Sequence, residues 1–307
     1  MKIMKKKFKK MLLVECDLGG PEAGAALGPN ALYSLLGENA ELVDVIRCAE
    51  ISDCHNTTPQ AHNLKEINDC LYQISQSVSE FFKKNQNESL GIIAGDHSTA
   101  CGSLAGLKTA NPDARIGVIW IDAHADIHSP YTTPSGNVHG MPIAAAVGAD
   151  HKKIAINSID QETHAEWEKT KRLSQSSFTL NDLVYIGIRD LEQQEQEVLE
   201  QHNIPHYSVS SVSRLGGTEV ATAALKYLEH CSSIYVSFDI DSLDAELVPG
   251  TGTPVTDGLD AFNTMKIIST LAASDKVKLL EVVEINPLLD QGNKTTELVA
   301  RILEGVF

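Results

Sequence analysis

Acidic and imidazole side chains recur in this 307-residue chain at the spacing of metal ligands. Asp122, His124 and Asp126 alternate with Ala123 and Ala125, and Asp239 and Asp241 flank Ile240. In extended backbone each set therefore projects to one side and its apolar neighbours to the other. Four carboxylates gathered in one place repel one another and lose hydration, at high cost unless cations or protons neutralise them. Two divalent ions balance four negative charges. His97, in Gly95-Asp96-His97-Ser98, adds a second imidazole to that of His124. Oxygen and imidazole donors without thiolate suit a borderline-hard ion such as Mn²⁺ better than sulfur-bound zinc. Taken singly, an Asp after a strand is usually a turn cap or a surface charge; the coincidence of the clusters predicts a binuclear metal site.

The elements that must position these groups are short apolar, β-branched runs: Met11 to Val14, Leu90 to Ala94, Ile116 to Ile121, Leu183 to Ile188, Ile234 to Phe238 and Lys278 to Val283. Stretches with helical spacing lie between them, at Ala61 to Lys84, Glu192 to His202, Glu219 to Glu229 and Ala261 to Ala273. That alternation is expected of βαβ units and predicts an α/β fold with a parallel sheet covered on both faces. Each candidate ligand follows directly on a strand, as do Arg189-Asp190 and Glu284-Ile285-Asn286-Pro287. Open α/β sheets bind ligands outside the carboxyl ends of their strands, so these polar groups are expected to converge on one edge.

With 25 Lys and Arg against 41 Asp and Glu, the net charge is -16, and 42% of residues are hydrophobic. A balance this acidic argues against nucleic acid as a partner, which usually demands a basic patch. No apolar run approaches a membrane span, and the lysine-rich start lacks the apolar core of a signal peptide. No linker, repeat or low-complexity tract divides the chain. Residues 1–10 are expected to form a basic, frayed terminus and 11–307 a single domain. The six cysteines, Cys16, Cys48, Cys54, Cys70, Cys101 and Cys231, include no C-x-x-C pair. They are expected to be reduced thiols in a cytoplasmic protein. Gly250-Thr251-Gly252 lacks the remainder of a nucleotide-binding loop and reads as a turn. The remaining histidines, His55, His62, His151, His164, His202, His206 and His230, lack ligand spacing, and Trp120 reads as core.

The segments Gly95-Asp96-His97-Ser98, Asp122-Ala123-His124-Ala125-Asp126 and Ser237-Phe238-Asp239-Ile240-Asp241-Ser242-Leu243-Asp244 resemble the three signature motifs of the ureohydrolase (arginase/agmatinase) family. The segment from Thr133 to Pro142, which holds Ser135, Asn137 and the His139-Gly140 pair, is similar to the substrate loop of the arginase branch. The resemblance spans nearly the whole chain. It implies a three-layer α/β/α domain around a central, mostly parallel sheet of about eight strands, a size within the usual range for α/β sheets. It also implies two Mn²⁺ ions per chain, with Co²⁺ or Ni²⁺ as substitutes. His97, Asp122, Asp126 and Asp239 would hold one ion and His124, Asp122, Asp239 and Asp241 the other, with Asp122 and Asp239 bridging. The implied reaction converts L-arginine to L-ornithine and urea by attack of a metal-bridging hydroxide on the guanidinium carbon. Asp126 and Glu284 would serve catalysis, Glu284 by accepting hydrogen bonds from the planar guanidinium. His139 resembles the proton shuttle, a task suited to imidazole near neutral pH. Thr253 stands where the family places a threonine near the site.

Ser135, Asn137 and Asp190 fit recognition of the amino-acid end of the substrate, but two positions depart from the pattern. His128 stands where arginases usually have an asparagine, and Glu192 where they usually have an aspartate. One extra methylene displaces a carboxylate enough to change rate substantially. The alternative substrates are agmatine, guanidinobutyrate and formimidoylglutamate. A deacetylase is disfavoured by the second ligand set, including Asp126 and Asp241, and a non-catalytic metal-binding scaffold by the presence of His139 and Glu284. Family analogy implies a homo-oligomer, trimer or hexamer. Phe262 and Asn263 replace an Arg-Glu pair that many arginases place at subunit contacts, so a trimer here needs other contacts.

Overall fold

The computed structural model describes residues 7–36, 40–48, 58–174 and 176–307. Its strands are β1 (Lys10–Glu15), β2 (Glu41–Arg47), β3 (Leu90–Ala94), β4 (Ile116–Ile121), β5 (Leu183–Ile186), β6 (His206–Tyr207), β7 (Ser233–Asp239) and β8 (Val277–Val283). They form one eight-stranded sheet in the order β2-β1-β3-β8-β7-β4-β5-β6. Every pairing is parallel. The carboxyl ends of β3, β4, β7 and β8, which precede the acidic and imidazole clusters, therefore lie side by side on one edge.

Alternate residues of each strand feed two separate cores. Leu12, Val14, Ile92, Val118 and Trp120 pack against the helices Leu64–Lys84, Ala100–Ala110 and Gln161–Ser174 on one face. Met11, Leu13, Ile93, Ile119 and Ile121 pack against Gly217–Tyr227, Ala261–Ala272 and Lys294–Ile302 on the other. Because both faces are covered, the central strands need no polar alternation, and all six residues of β4 are buried. Burial of each large aliphatic side chain there contributes about 1.5–3 kcal/mol.

The expected strands and helices are present with ends shifted by a few residues. Sequence patterning did not find β2 or β6. The outer strand β2 is largely exposed, and β6 has only two residues, so neither carries a long apolar run. The expected frayed start is corrected from Lys7 onward. Phe8 is fully buried with its ring 5.7 Å from that of Phe307, and Lys10 already belongs to β1. Met1–Lys6, Cys54 and His55 lie outside the described residues.

The reduced-thiol expectation is also corrected. Cys16 and Cys48 form a disulfide, with Cα atoms 5.2 Å apart. Parallel pairing of Glu15 with Arg47 brings the next residue of each strand together, although 32 positions separate them in sequence. Cys70, Cys101 and Cys231 are free and buried. Among the described residues no helix is long and apolar enough to cross a membrane.

Candidate metal centre and substrate pocket

The turn after β3 is tied tightly to the end of β1. A Cβ on Gly95 would lie 1.7 Å from the Cys16 carbonyl oxygen, so only glycine fits there. Asp96 then caps the turn, accepting hydrogen bonds from the Ser98 and Gly19 amides at 2.8 and 2.9 Å. This fixes His97 over the sheet edge. Its ring stacks on Trp120, with centroids 4.1 Å apart and planes 6° from parallel.

His97 Nδ1 lies 3.1 Å from Asp122 Oδ2, 2.9 Å from Asp126 Oδ2 and 3.0 Å from Asp239 Oδ2. On the neighbouring side His124 Nδ1 is 3.1 Å from Asp241 Oδ2 and 3.5 Å from Asp122 Oδ1. Two groups capable of holding an ion thus form, His97–Asp122–Asp239 and Asp122–His124–Asp241, sharing Asp122. The backbone prepares the carboxylates. Asp122 Oδ1 accepts the His124 amide at 2.7 Å and Asp239 Oδ1 the Asp241 amide at 2.8 Å, which turns the second oxygen of each toward His97. Thr253 Oγ1 donates to Asp241 Oδ2 at 3.0 Å. Asp126 and Glu284 adopt left-handed backbone, with φ of 50° and 68°, a conformation uncommon for these residues and concentrated at functional sites.

Burial opposes charge on His97, but the carboxylates of Asp122, Asp126 and Asp239 beside its Nδ1 push its pKa well above the ordinary range. His124 shifts up as well, burial being outweighed by the nearby Asp241 and Asp122. Burial and then repulsion from Asp122 raise Asp126 to about 6. Burial and then Asp241 push Asp239 well up. The imidazoles thus draw in protons to balance carboxylates that resist ionising together. Although 3.1 Å apart, His97 Nδ1 and Asp122 Oδ2 are buried without a well-aligned hydrogen bond to each other or to any other group. Two orphaned donor atoms facing each other within an oxygen and imidazole set fit a divalent cation.

A cavity of ≈ 420 Å³ opens above this floor, lined by His124, Asp126, Asp239 and Asp241 below and by His128, Ser135, Asn137, His139, Asp190, Glu192 and Thr253 around the wall. His97 and Asp122 lie beneath it, fully buried. All the residues expected to bind substrate therefore meet in one pocket. His128 Nε2 lies 3.4 Å from Glu192 Oε2, and its Nδ1 lies 3.1 Å from Thr132 Oγ1, so the two atypical residues face each other. Glu284 is placed differently from expectation. It is buried behind His139, and its Oε1 receives the His139 Nδ1 at 3.0 Å and the His97 amide at 2.9 Å. Burial disfavours charge on the His139 ring, but the Glu284 contact prevails and raises its pKa to about 9.

Sequence reading missed two supporting residues. Glu195, buried in the pocket wall, completes a capping box with Glu192 at the start of helix Gln193–His202. Arg189 spreads its guanidinium over the carbonyls of Gly187, Asp241, Ser242, Leu243, Val255 and Thr256 at 2.8 to 3.3 Å. It joins the ligand turn after β7 to the loop that carries Thr253. The only sequence signal for Arg189 was its place directly after a strand.

Comparison with known proteins matches residues 10–307 to the Arginase family. The arginase of Bacillus subtilis is 31% identical over 297 residues, covering 95% of this chain and 94% of the relative. The solved Bacillus caldovelox arginase superposes with a TM-score of 0.85 at 28% identity, covering 98% of each chain. The Entamoeba histolytica arginase solved in complex with L-ornithine gives 0.83 at 29% identity, covering 98% of this chain and 99% of that one.

Proposed function

The chain belongs to the arginase family, and from that premise we propose that it hydrolyses L-arginine to L-ornithine and urea, with Mn²⁺ as its metal. The observation that carries this reading is the convergence of four carboxylates and two imidazoles beneath a pocket whose wall holds His139. His97, Asp122 and Asp239, with Asp126, would hold one cation, and Asp122, His124 and Asp241, with Asp239, the other. Bound there, such ions supply the Lewis acidity that makes water a nucleophile near neutral pH.

The chain's own residues do the rest. The acidic floor attracts the planar guanidinium and presents its carbon to the attacking water. Asp126, at the cavity floor, takes the water's proton. Addition of oxygen and loss of the C–N bond leave urea and an amine, and the amine departs only when protonated. His139 supplies that proton from its ring. Glu284, hydrogen-bonded to Nδ1, keeps the imidazole protonated and oriented. At the mouth of the pocket Ser135 and Asn137 offer hydrogen-bond donors to the α-carboxylate, while Asp190 and Glu192 face the α-ammonium.

A cytoplasmic setting and a homo-oligomer belong to the same reading, with neither nucleic acid nor membrane as a partner, although the Cys16–Cys48 disulfide removes the argument from reduced thiols for that compartment. Exposure of Phe262 at the start of helix Ala261–Ala272 supports an altered subunit contact. The deciding experiment compares kcat/KM for L-arginine, agmatine, guanidinobutyrate and formimidoylglutamate with Mn²⁺, Co²⁺ or Ni²⁺ supplied separately. Urea is measured for the first three and formamide for the last. Arginine with Mn²⁺ is expected to lead. Faster turnover of a substrate lacking the α-carboxylate would replace this reading with one in which the His128–Glu192 pair closes off the amino-acid end.

A further inference from the structure

Beneath His97 runs a file of buried polar side chains that the reaction does not use. His97 Nε2 lies 2.6 Å from Ser237 Oγ. The Tyr235 hydroxyl lies 3.4 Å from that Ser237 oxygen and 2.8 Å from Glu281 Oε2. Thr99 Oγ1 lies 2.9 Å from Glu281 Oε1 and 2.9 Å from the Asp96 carbonyl, which returns the file to the turn bearing His97. Ser237, Tyr235, Glu281 and Thr99 are all fully buried. Strand register accounts for the arrangement. Ser237 of β7 pairs with Glu281 of β8, and Tyr235, two residues before Ser237, shares its face.

We propose that Tyr235 and Glu281 are positioning residues for His97, holding it through the Ser237 hydroxyl in the tautomer that protonates Nε2 and turns Nδ1 toward Asp122, Asp126 and Asp239. A carboxyl placed in the middle of a sheet, with no Lys or Arg among its hydrogen-bond partners, is costly unless it is neutral and fully hydrogen-bonded. Glu281 meets that condition through Tyr235 and Thr99, and burial raises its pKa accordingly. Away from His97 the file ends on the Asp96 backbone carbonyl and its members are fully buried, so it offers a proton no second outlet. What it can do is fix geometry. Trp120 sets the plane of the imidazole and the Ser237 contact sets which nitrogen faces the carboxylates. Ser237 alone would be free to rotate; Tyr235, braced by Glu281, limits that freedom.

The inference rests on the reading that His97 and its carboxylates bind a divalent cation, and the experiment separates the two. Full-length parent, Tyr235→Phe, Glu281→Gln and Glu281→Leu proteins are titrated with Mn²⁺ by calorimetry, and each is melted without metal. Tyr235→Phe and Glu281→Leu are expected to weaken one of two binding steps about 10–100-fold, the range found when an outer partner of a metal-bound histidine is removed. Glu281→Gln, which keeps a neutral hydrogen-bonding group, is expected to stay within about threefold of the parent. Should Glu281→Leu fail to fold, the near-isosteric Tyr235→Phe decides alone. Parent-like affinity in folded Tyr235→Phe overturns the positioning role while leaving the cation reading intact. A parent that binds no Mn²⁺ overturns both.

Discussion

Arg189→Ala removes the guanidinium that gathers six backbone carbonyls from the turn after β7, from Gly187 and from the loop beyond Thr253. A hydrogen bond to a charged group contributes about 1.5–3 kcal/mol, but several made by one side chain do not add, and some freed carbonyls will find water. Burial also works against the charge and lowers the Arg189 pKa, which offsets part of the gain. A net loss of about 3–5 kcal/mol follows, the range for removing one partner from a buried charged network. At about 2–4 °C per kcal/mol for a large domain, this lowers the melting temperature by about 6–20 °C. Arg189→Lys keeps the charge but has only three N–H donors on a tetrahedral head, so it restores less than half of the loss. The assay is thermal melting of both variants without metal, followed by Mn²⁺ titration, since Arg189 holds the backbone carbonyl of Asp241, one of the proposed ligands. If Arg189→Ala melts within about 2 °C of the parent, the carbonyl contacts contribute no net stability and the reasoning fails. If Arg189→Lys equals the parent, charge rather than fork geometry is what matters.

His139→Asn keeps a polar side chain but no group able to deliver a proton near neutral pH, so kcat for urea release is expected to fall about 10²–10⁴-fold with much smaller change in KM; an unchanged kcat would remove His139 from proton transfer. In the metal-free protein Glu284→Gln is expected to drop the His139 pKa from about 9 toward the ordinary histidine value, read by NMR titration of the ring protons. At Asp182, burial opposes ionisation, but hydrogen bonds from Arg115, His230 and Thr179 prevail and hold its pKa below the usual range. Its contribution is therefore present above the unfolded value of about 4 and disappears as pH falls through the depressed folded value. Because the Arg115 side chain is half exposed, Asp182→Asn should cost only about 1–2 kcal/mol near neutrality. The variant's stability should converge on the parent's in acid, and a constant difference across the whole pH range would contradict this linkage.

What could be read from the sequence and what could not divide along a physical line. A strand buried on both faces must be an uninterrupted apolar run, and a ligand at its end must be a polar residue next to that run. Ile116 to Ile121 followed by Asp122 therefore exposes both fold and site in seven letters. The same logic failed at β2, whose largely exposed residues ELVDVIR do not need to be apolar, and at the two-residue β6. Contacts set by register were hidden as well. Nothing in the spacing of Cys16 and Cys48 shows that β1 and β2 are parallel neighbours, and nothing local to Glu281 shows that Ser237 lies across from it. Arg189 was hidden for a different reason. Its partners are carbonyl oxygens, which every residue possesses, so the contact imposes no side-chain type on positions 241–243 or 255–256 and leaves no pattern to read. Ligands declare themselves because a metal restricts residue type. Residues that hold the ligands in place act on backbone or through buried hydroxyls, and they become visible only when the chain is folded.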